Sequence, residues 1–299
     1  MPNTLAHLGI NGFLIRTLIK KSDLLLIYIG SVIPDIPWII QRIIHTLQLN
    51  INTYELRAYS IVMASFFFSI ILSFTLAILL ENTKRVFFIF SLGSLIHLML
   101  DSLEVKWGNG VHFFAPFNWD LLNLGYFWPE SIITYTITFL GFVYLIFNWK
   151  VTVSGINIIF IKNNKNLLVF AFCIIAYFFL PLLFMNSVEL ADNHFIKTLK
   201  DKEHRIGKYF ESDRGQFIDS KNGDKFVTQF DEELKVTNLD LTSSESMSVR
   251  AKFISNDEIQ IIEYHIHHYR DLFSYTGLLI ITIMLVWSII KSTNSKLKN

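Results

Sequence analysis

Long uncharged apolar blocks separated by short charged segments run through the first two thirds of the chain, and one more block stands near its end. Residues 24–40 are apolar but interrupted by Pro34-Asp35-Ile36-Pro37, which predicts that the helix ends or kinks there. A more polar connection, 41–57, leads to 59–80, a run without charge that predicts one continuous membrane crossing. Residues 86–100, 132–147, 167–185 and 272–290 predict four more crossings. Residues 1–19 are shorter and carry His7, Asn11 and Arg16, so they predict either a tilted, re-entrant or interfacial helix or a further crossing. The chain thus reads as a polytopic α-helical membrane protein with six or seven membrane segments.

Residues 186–271 follow a different pattern. They mix 12 Lys and Arg with 17 Asp and Glu, and their apolar runs are too short to span. Residues 217–218 and 225–230, flanking Lys221-Asn222-Gly223-Asp224, predict a β-hairpin with an Asn-Gly turn. Residues 234–236 predict another strand. From 246 to 254 the alternation puts Met247, Val249, Ala251 and Phe253 on one face, and Ile262, Tyr264 and Ile266 share a face farther on. A small β-rich domain of about five strands, mostly antiparallel, is expected outside the membrane, with 190–210 as a helical lead-in. The domain reading is a helical membrane domain over 1–150, an additional transmembrane segment over 151–185, the β-rich domain over 186–271, and a C-terminal helix with a basic tail over 272–299.

Composition sharpens this picture. Hydrophobic residues make up 52% and charged residues 17%, against about 25% charged in ordinary soluble domains. The net charge of +1 leaves no basic stripe for nucleic acid. Cys173 is the one cysteine, which excludes an intrachain disulfide and a thiolate metal cluster. No small-x-small cleavage site follows the first apolar stretch, so the start does not read as a cleaved signal peptide. Basic residues gather in four segments: Arg16, Lys20 and Lys21; Lys84 and Arg85; Lys150, Lys162 and Lys165; and Lys291, Lys296 and Lys298. With the crossings above, all four fall on one side. The positive-inside rule makes that side cytoplasmic and 186–271 extracytoplasmic, in a cytoplasmic (inner) membrane. The loop 102–130 joins the opposite side, and its many Trp, Tyr and Phe suit the lipid–water interface.

Four polar residues stand at the outer ends of apolar segments: His7, Asp35, His97 and Asp101. His97 and Asp101 are spaced i, i+4 and so share a helix face. Asp35 sits at the proline break, where its carboxylate can turn inward. Intramembrane ionisable groups are costly enough to suggest function. Imidazole with carboxylate suits a divalent ion such as zinc, manganese or iron. Taken singly, each also fits a packing histidine, a helix cap or an interfacial anchor.

The order of these residues resembles the bacterial and archaeal membrane-bound metal-dependent hydrolases related to YdjM. That family opens on a Thr-His-x-x-x-Gly-like segment, here Leu5-Ala6-His7-Leu8-Gly9-Ile10-Asn11-Gly12. A Gly-x-x-x-Pro-Asp-x-Asp stretch follows, here Gly30-Ser31-Val32-Ile33-Pro34-Asp35-Ile36-Pro37, with proline at the second aspartate. Then comes Gly-x-x-x-His-x-x-x-Asp, here Gly93 through His97 to Asp101, followed by Gly108 or Gly110 and by Pro116-Phe117. The resemblance covers 1–150. The family's His-Arg-Gly-x-Thr-His-Ser motif has Leu56-Arg57-Ala58-Tyr59-Ser60-Ile61-Val62 as its nearest match, with Arg57 and Ser60 present and both histidines absent. Glu104, His112 or His45 are candidates to compensate.

The resemblance implies a membrane hydrolase whose ion is held by His7, Asp35, His97 and Asp101, with Asp35 or Asp101 alternatively the base. Its location implies a phosphoester or lipid-linked substrate at the outer interface, with membrane lipid around it. Arg57 would pair with an anionic substrate group or, more ordinarily, anchor at the interface. The alternative is a non-catalytic envelope protein presenting the β-domain for binding. A transporter would need polar groups deeper in several crossings. His265 and His267 share a strand face and form a second metal candidate beside His268, with no third ligand fixed by spacing. Glu189, Asp192 and His194 read as linker polarity, and Asp231-Glu232-Glu233 as a solvated turn.

Overall fold

The computed structural model describes residues 3–154, 163–220, 223–239, 241–268 and 270–296. Lys162, Lys298, Tyr269 and the Lys221-Asn222 half of the expected hairpin turn lie outside them. The first helix, α1 (Thr4–Leu18), starts on Asn3, whose side chain accepts from the Ala6 amide. Its 15 residues rise about 22 Å at ~1.5 Å per residue, short of the ~30 Å hydrocarbon core. The second, α2 (Leu24–Val32), is capped by Asp23. The prolines do not end the crossing. They occupy first-turn positions of a 3-10 turn, Ile33–Asp35, and of α3 (Ile36–Thr46), so that Leu24–Thr46 is one apolar stretch and the polar connection shrinks to 47–52. Proline is tolerated there because first-turn amides lack helical partners anyway.

The single crossing expected over 59–80 is instead two helices, α4 (Thr53–Met63) and α5 (Phe66–Ile78), bent by 70°. The break needs no proline. Ser65 takes the extended conformation of an N-cap, although its hydroxyl makes no capping hydrogen bond. The bundle continues with α6 (Thr83–Ser102), α7 (Ile132–Ser154), α8 (Asn164–Phe179), a 3-10 turn into α9 (Met185–Ala191), a short α10 (Ile196–Lys200) and finally α11 (Arg270–Lys296). Among the described residues five stretches are long and apolar enough to cross a membrane, or six with the bent α4–α5 pair as one crossing. The chain is a polytopic α-helical membrane protein.

The two ends of the bent pair meet different parts of the molecule. At the far end of α5, Arg85 Nη2 donates to the Lys21 carbonyl at 2.9 Å, joining two of the basic segments. At the start of α4, Thr53 Oγ1 donates to the Phe230 carbonyl of the β-domain at 3.1 Å. The short α1 lies inside the bundle, packed on α2, α6, α7 and α11. Backbones touch where it crosses α7: a Cβ on Gly9 would stand 2.1 Å from Gly141 Cα. A second close approach joins α2 and α6, where a Cβ on Gly93 would stand 2.9 Å from the Gly30 carbonyl carbon. Small residues let membrane helices pack this tightly.

The extramembrane domain is a closed five-stranded barrel. Its strands are β1 (Tyr209–Ile218), β2 (Lys225–Val227), β3 (Glu233–Val236), β4 (Glu245–Phe253) and β5 (Glu258–Ile266), in the order β1-β2-β3-β5-β4. All pairs are antiparallel except β3–β5. The hairpin register aligns Phe217 with Phe226. Met247, Val249, Ala251 and Phe253 face inward against Phe210, Phe217, Phe226 and Leu234, as the alternation predicts. On β5 the inward residues are Ile259 and Ile261; Ile262, the unpaired extra residue where the register shifts opposite Arg250 and Ala251, and Tyr264 are exposed.

The barrel is fastened to α4. Tyr54 stacks on Phe230 at 4.6 Å, and its hydroxyl donates to Glu232 at 3.2 Å. Glu232 also receives the buried Arg205 guanidinium in a two-pronged pair at 2.8 and 3.0 Å, and Lys202 at 3.0 Å. The middle of the Asp231-Glu232-Glu233 cluster is therefore a half-buried docking carboxylate, while Asp231 and Glu233 on either side are exposed. Burial alone would raise its pKa, but the bonds from Arg205 and Lys202 outweigh that and hold it below the usual glutamate value.

Candidate metal centre

The close approaches of α1 to α7 and of α2 to α6 bring His7, Asp35, His97 and Asp101 into one buried place. His7 Nε2 lies 3.1 Å from Asp101 Oδ1. His97 Nε2 is 3.5 Å from Asp35 Oδ1 and 3.7 Å from Asp101 Oδ2. The two imidazoles stack at 3.8 Å with 12° between their planes. One ligand atom each from His7, His97 and Asp101 lies within 4.8 Å of the other two, the spacing of groups that could share an ion. Asp35 adjoins His97 but falls outside that trio.

Several of these polar atoms are buried without a hydrogen-bond partner: His7 Nδ1, both ring nitrogens of His97, and Asp35 Oδ1. Such orphans cost roughly 1–3 kcal/mol each, which a ligand can recover. The donor set of imidazole and carboxylate therefore fits a divalent ion in chemistry and in unmet bonding capacity. The geometry requires one adjustment. Nearly parallel rings aim their lone pairs along parallel lines, so both histidines reach one ion only if the stack opens.

Lys106 is the neighbour that the motif reading missed. It is buried, and its Nζ stands 3.2 Å from Asp101 Oδ2. It follows the helix end in an irregular loop, where neither periodicity nor motif marks it. Lys106 also lines a cavity of about 460 Å3 with Trp107, Asn109, Asn123, Trp128 and Arg250. A smaller cavity of about 20 Å3 reaches Asp101, bounded by Trp38, Leu98 and His112. That is room for one water.

The proposed substitutes for the missing histidines do not join the trio. Glu104 is buried nearby, and burial pushes its carboxyl well above the ordinary range, against the pull of Lys106 and aided by the charge of Asp101. His112 lines the small cavity but pairs with His194, Nε2 to Nε2, at 2.9 Å. Burial takes His112 down to about 4 and His194 well below its usual value. His194 is thus a buried partner, not linker polarity. Of its neighbours, Asp192 caps α10 through the Lys197 and Thr198 amides, and Glu189 pairs with Lys200. His45 lies 3.6 Å from Asp231 of the barrel. Arg57 is not an exposed anchor: it is buried, with its guanidinium 4.6 Å over the Trp38 ring and its Nε and Nη2 without hydrogen-bond partners. His265 and His267 meet Glu130 of the loop before α7, and His268 is outside that group.

No protein-family model matches the chain, and neither a curated protein nor a solved structure does. The class defined by fold and geometry is a multi-pass membrane protein with an extramembrane β-barrel and candidate metal-coordinating clusters.

Proposed function

We propose that this protein is a metal-dependent membrane hydrolase. A zinc, manganese or iron ion would be held by His7, His97 and Asp101, and the substrate would be a phosphoester or other ester of lipid-linked character. The observation that carries the reading is the gathering of three buried side chains from two helices far apart in sequence, His7 of α1 with His97 and Asp101 of α6, with one ligand atom each within 4.8 Å of the others. The motif order that resembles the YdjM-related hydrolases supports it. When bound, the ion would supply Lewis acidity and lower the pKa of a water.

The chain's own groups have separable parts. His7 and His97 contribute neutral nitrogens, and Asp101 a charged oxygen. Asp35, 3.5 Å from His97, would serve as fourth ligand or as base. The cavity beside Asp101 has room for the water. Lys106, shared between Asp101 and the larger cavity, is placed to receive an anionic oxygen. Arg57 stacks on Trp38, a wall of the water-sized cavity. Assigning the barrel and this site to the extracytoplasmic face follows from the basic segments on the opposite face.

One observation favours a second reading. The Lys106–Asp101 ion pair offsets carboxylate charge without a metal, as a non-catalytic protein presenting its barrel would require. The deciding experiment is the metal content of detergent-purified protein beside a His97→Ala, Asp101→Ala variant. The hydrolase reading expects an ion in the wild type that the variant lacks, followed by phosphoesterase activity on screening. A wild type in which these residues hold no ion, even after zinc, manganese and iron are supplied, overturns it in favour of the second reading.

A further inference from the structure

A second cluster lies at the seam between the barrel and the loop before α7. Its members come from two elements that only the fold brings together: Glu130 from the loop, His265 from β5, and His267 just beyond it. Glu130 Oε2 is 3.1 Å from His265 Nε2, and Glu130 Oε1 is 2.8 Å from His267 Nδ1. The three ligand atoms lie within 4.8 Å of one another. Around a tetrahedral zinc, with bonds of about 2.0–2.1 Å, ligand atoms stand roughly 3.3 Å apart; each histidine nitrogen stands near that distance from its own Glu130 oxygen, so the carboxylate would either engage the ion with both oxygens or turn to present one.

Each ring is held from behind. Trp128 stacks on His265 at 3.7 Å with 5° between planes. His267 turns its other nitrogen, Nε2, to Ser248 Oγ at 2.8 Å, and that hydroxyl lies 3.2 Å from Asp213 Oδ1. The remaining nitrogen of a metal-bound histidine is commonly fixed by a chain of this kind ending in a carboxylate. The His265 side chain is 26% exposed, so an ion and a fourth, water ligand have access from solvent.

We propose that Glu130, His265 and His267 form a second divalent-cation site, of zinc type, that staples the barrel to the membrane domain. Two imidazoles and one carboxylate suit a borderline ion rather than calcium or magnesium. The site stands apart from the intramembrane trio and shares no residue with it. Its ion ties residue 130 to residues 265 and 267, so its effect is mechanical: loop and barrel become harder to separate.

The test uses full-length protein in detergent, stripped with chelator and titrated with zinc, as wild type, His97→Ala/Asp101→Ala and Glu130→Gln/His265→Gln. Ion content is read together with the thermal midpoint and Trp fluorescence. The proposal expects that Glu130→Gln/His265→Gln binds one ion fewer than the wild type. It also expects zinc to raise the thermal midpoint of the wild type and of His97→Ala/Asp101→Ala by several degrees, but not that of Glu130→Gln/His265→Gln. Cobalt in place of zinc should quench Trp fluorescence through Trp128 in the wild type and in a single His97→Ala variant. Equal ion content in the wild type and Glu130→Gln/His265→Gln overturns the proposal. So does a His97→Ala/Asp101→Ala protein that takes up no zinc, or, if either double variant fails to fold, a single His97→Ala protein whose fluorescence cobalt leaves unchanged. Loss of the intramembrane ion alone refutes the hydrolase reading and leaves this one standing.

Discussion

Replacing Gly9 by alanine disturbs the candidate centre without touching a ligand. A Cβ at this position would lie 2.1 Å from Gly141 Cα and 3.1 Å from the Gly141 carbonyl carbon. Ordinary carbon–carbon contact is about 3.5–4.0 Å, so α1 and α7 must part by roughly 1.5 Å. On its other sides α1 packs against α2, α6 and α11, so the parting also strains those contacts unless α7 moves outward. Being two residues away on the same helix, His7 moves with it, and its 3.1 Å contact to Asp101 is lost or deformed. Metal sites tolerate ligand errors of about 0.2 Å. Alanine gains about 1 kcal/mol in helix propensity over glycine, while overpacking costs about 1–3 kcal/mol. The expected outcome is a melting point lowered by a few degrees and zinc affinity at the trio lowered at least tenfold, read by competition against a chromophoric chelator. A Gly9→Ala protein with wild-type affinity and an unchanged or raised melting point would refute the link between this helix contact and the site.

Two further outcomes are expected away from the trio. Arg205→Met leaves the half-buried Glu232 without its two-pronged partner, with Lys202 and Tyr54 remaining, and should cost about 1–3 kcal/mol, read as faster proteolysis of the barrel, with Glu232→Gln in the same chain restoring part of it; a loss under about 0.5 kcal/mol would contradict the docking role. The His112–His194 pair sets an acid limit. Both pKa values lie below the ordinary 6.5, His112 at about 4, so the unfolded chain binds more protons between those values, and stability, complete above about pH 6.5, falls toward pH 4. For His112 alone the loss is roughly 3 kcal/mol, and a His112→Phe protein should show a flatter profile of melting point against pH; an identical profile would remove the pair from that role.

The sequence was most legible where one physical constraint acts along a contiguous stretch. Lipid demands uncharged runs, so the crossings stand out in the hydropathy. The pleat demands alternation, so Met247, Val249, Ala251 and Phe253 declare their face. The four polar residues at segment ends were legible because charge is expensive there, and topology placed them at one level. What failed depended on choices among nearly equal local states. Nothing at Ala64-Ser65 forbids a straight helix; the extended backbone of Ser65 is selected by packing. Pro34 and Pro37 do interrupt the α-helix with a 3-10 turn, but both fall in first turns, where proline costs little, and the apolar stretch runs on to Thr46. Lys106 and Glu130 sit in an irregular loop without periodicity, and their partners lie on other elements. Only three-dimensional closure gives His265 and His267 their carboxylate.

Closure of the barrel has a consequence for recognition. The parallel β3–β5 pair completes the ring. Past that pair, the Asn238 side chain stands in for a neighbouring strand, accepting from the Ile261 amide at 2.9 Å and donating to its carbonyl at 2.7 Å. An extended peptide seeking to lengthen the sheet at Ile261 finds that both main-chain groups are taken. Partners that bind by strand addition need such groups free. A ligand of this surface must therefore read side chains and loops, and the same occupied groups give neighbouring copies no template there for aggregating edge to edge.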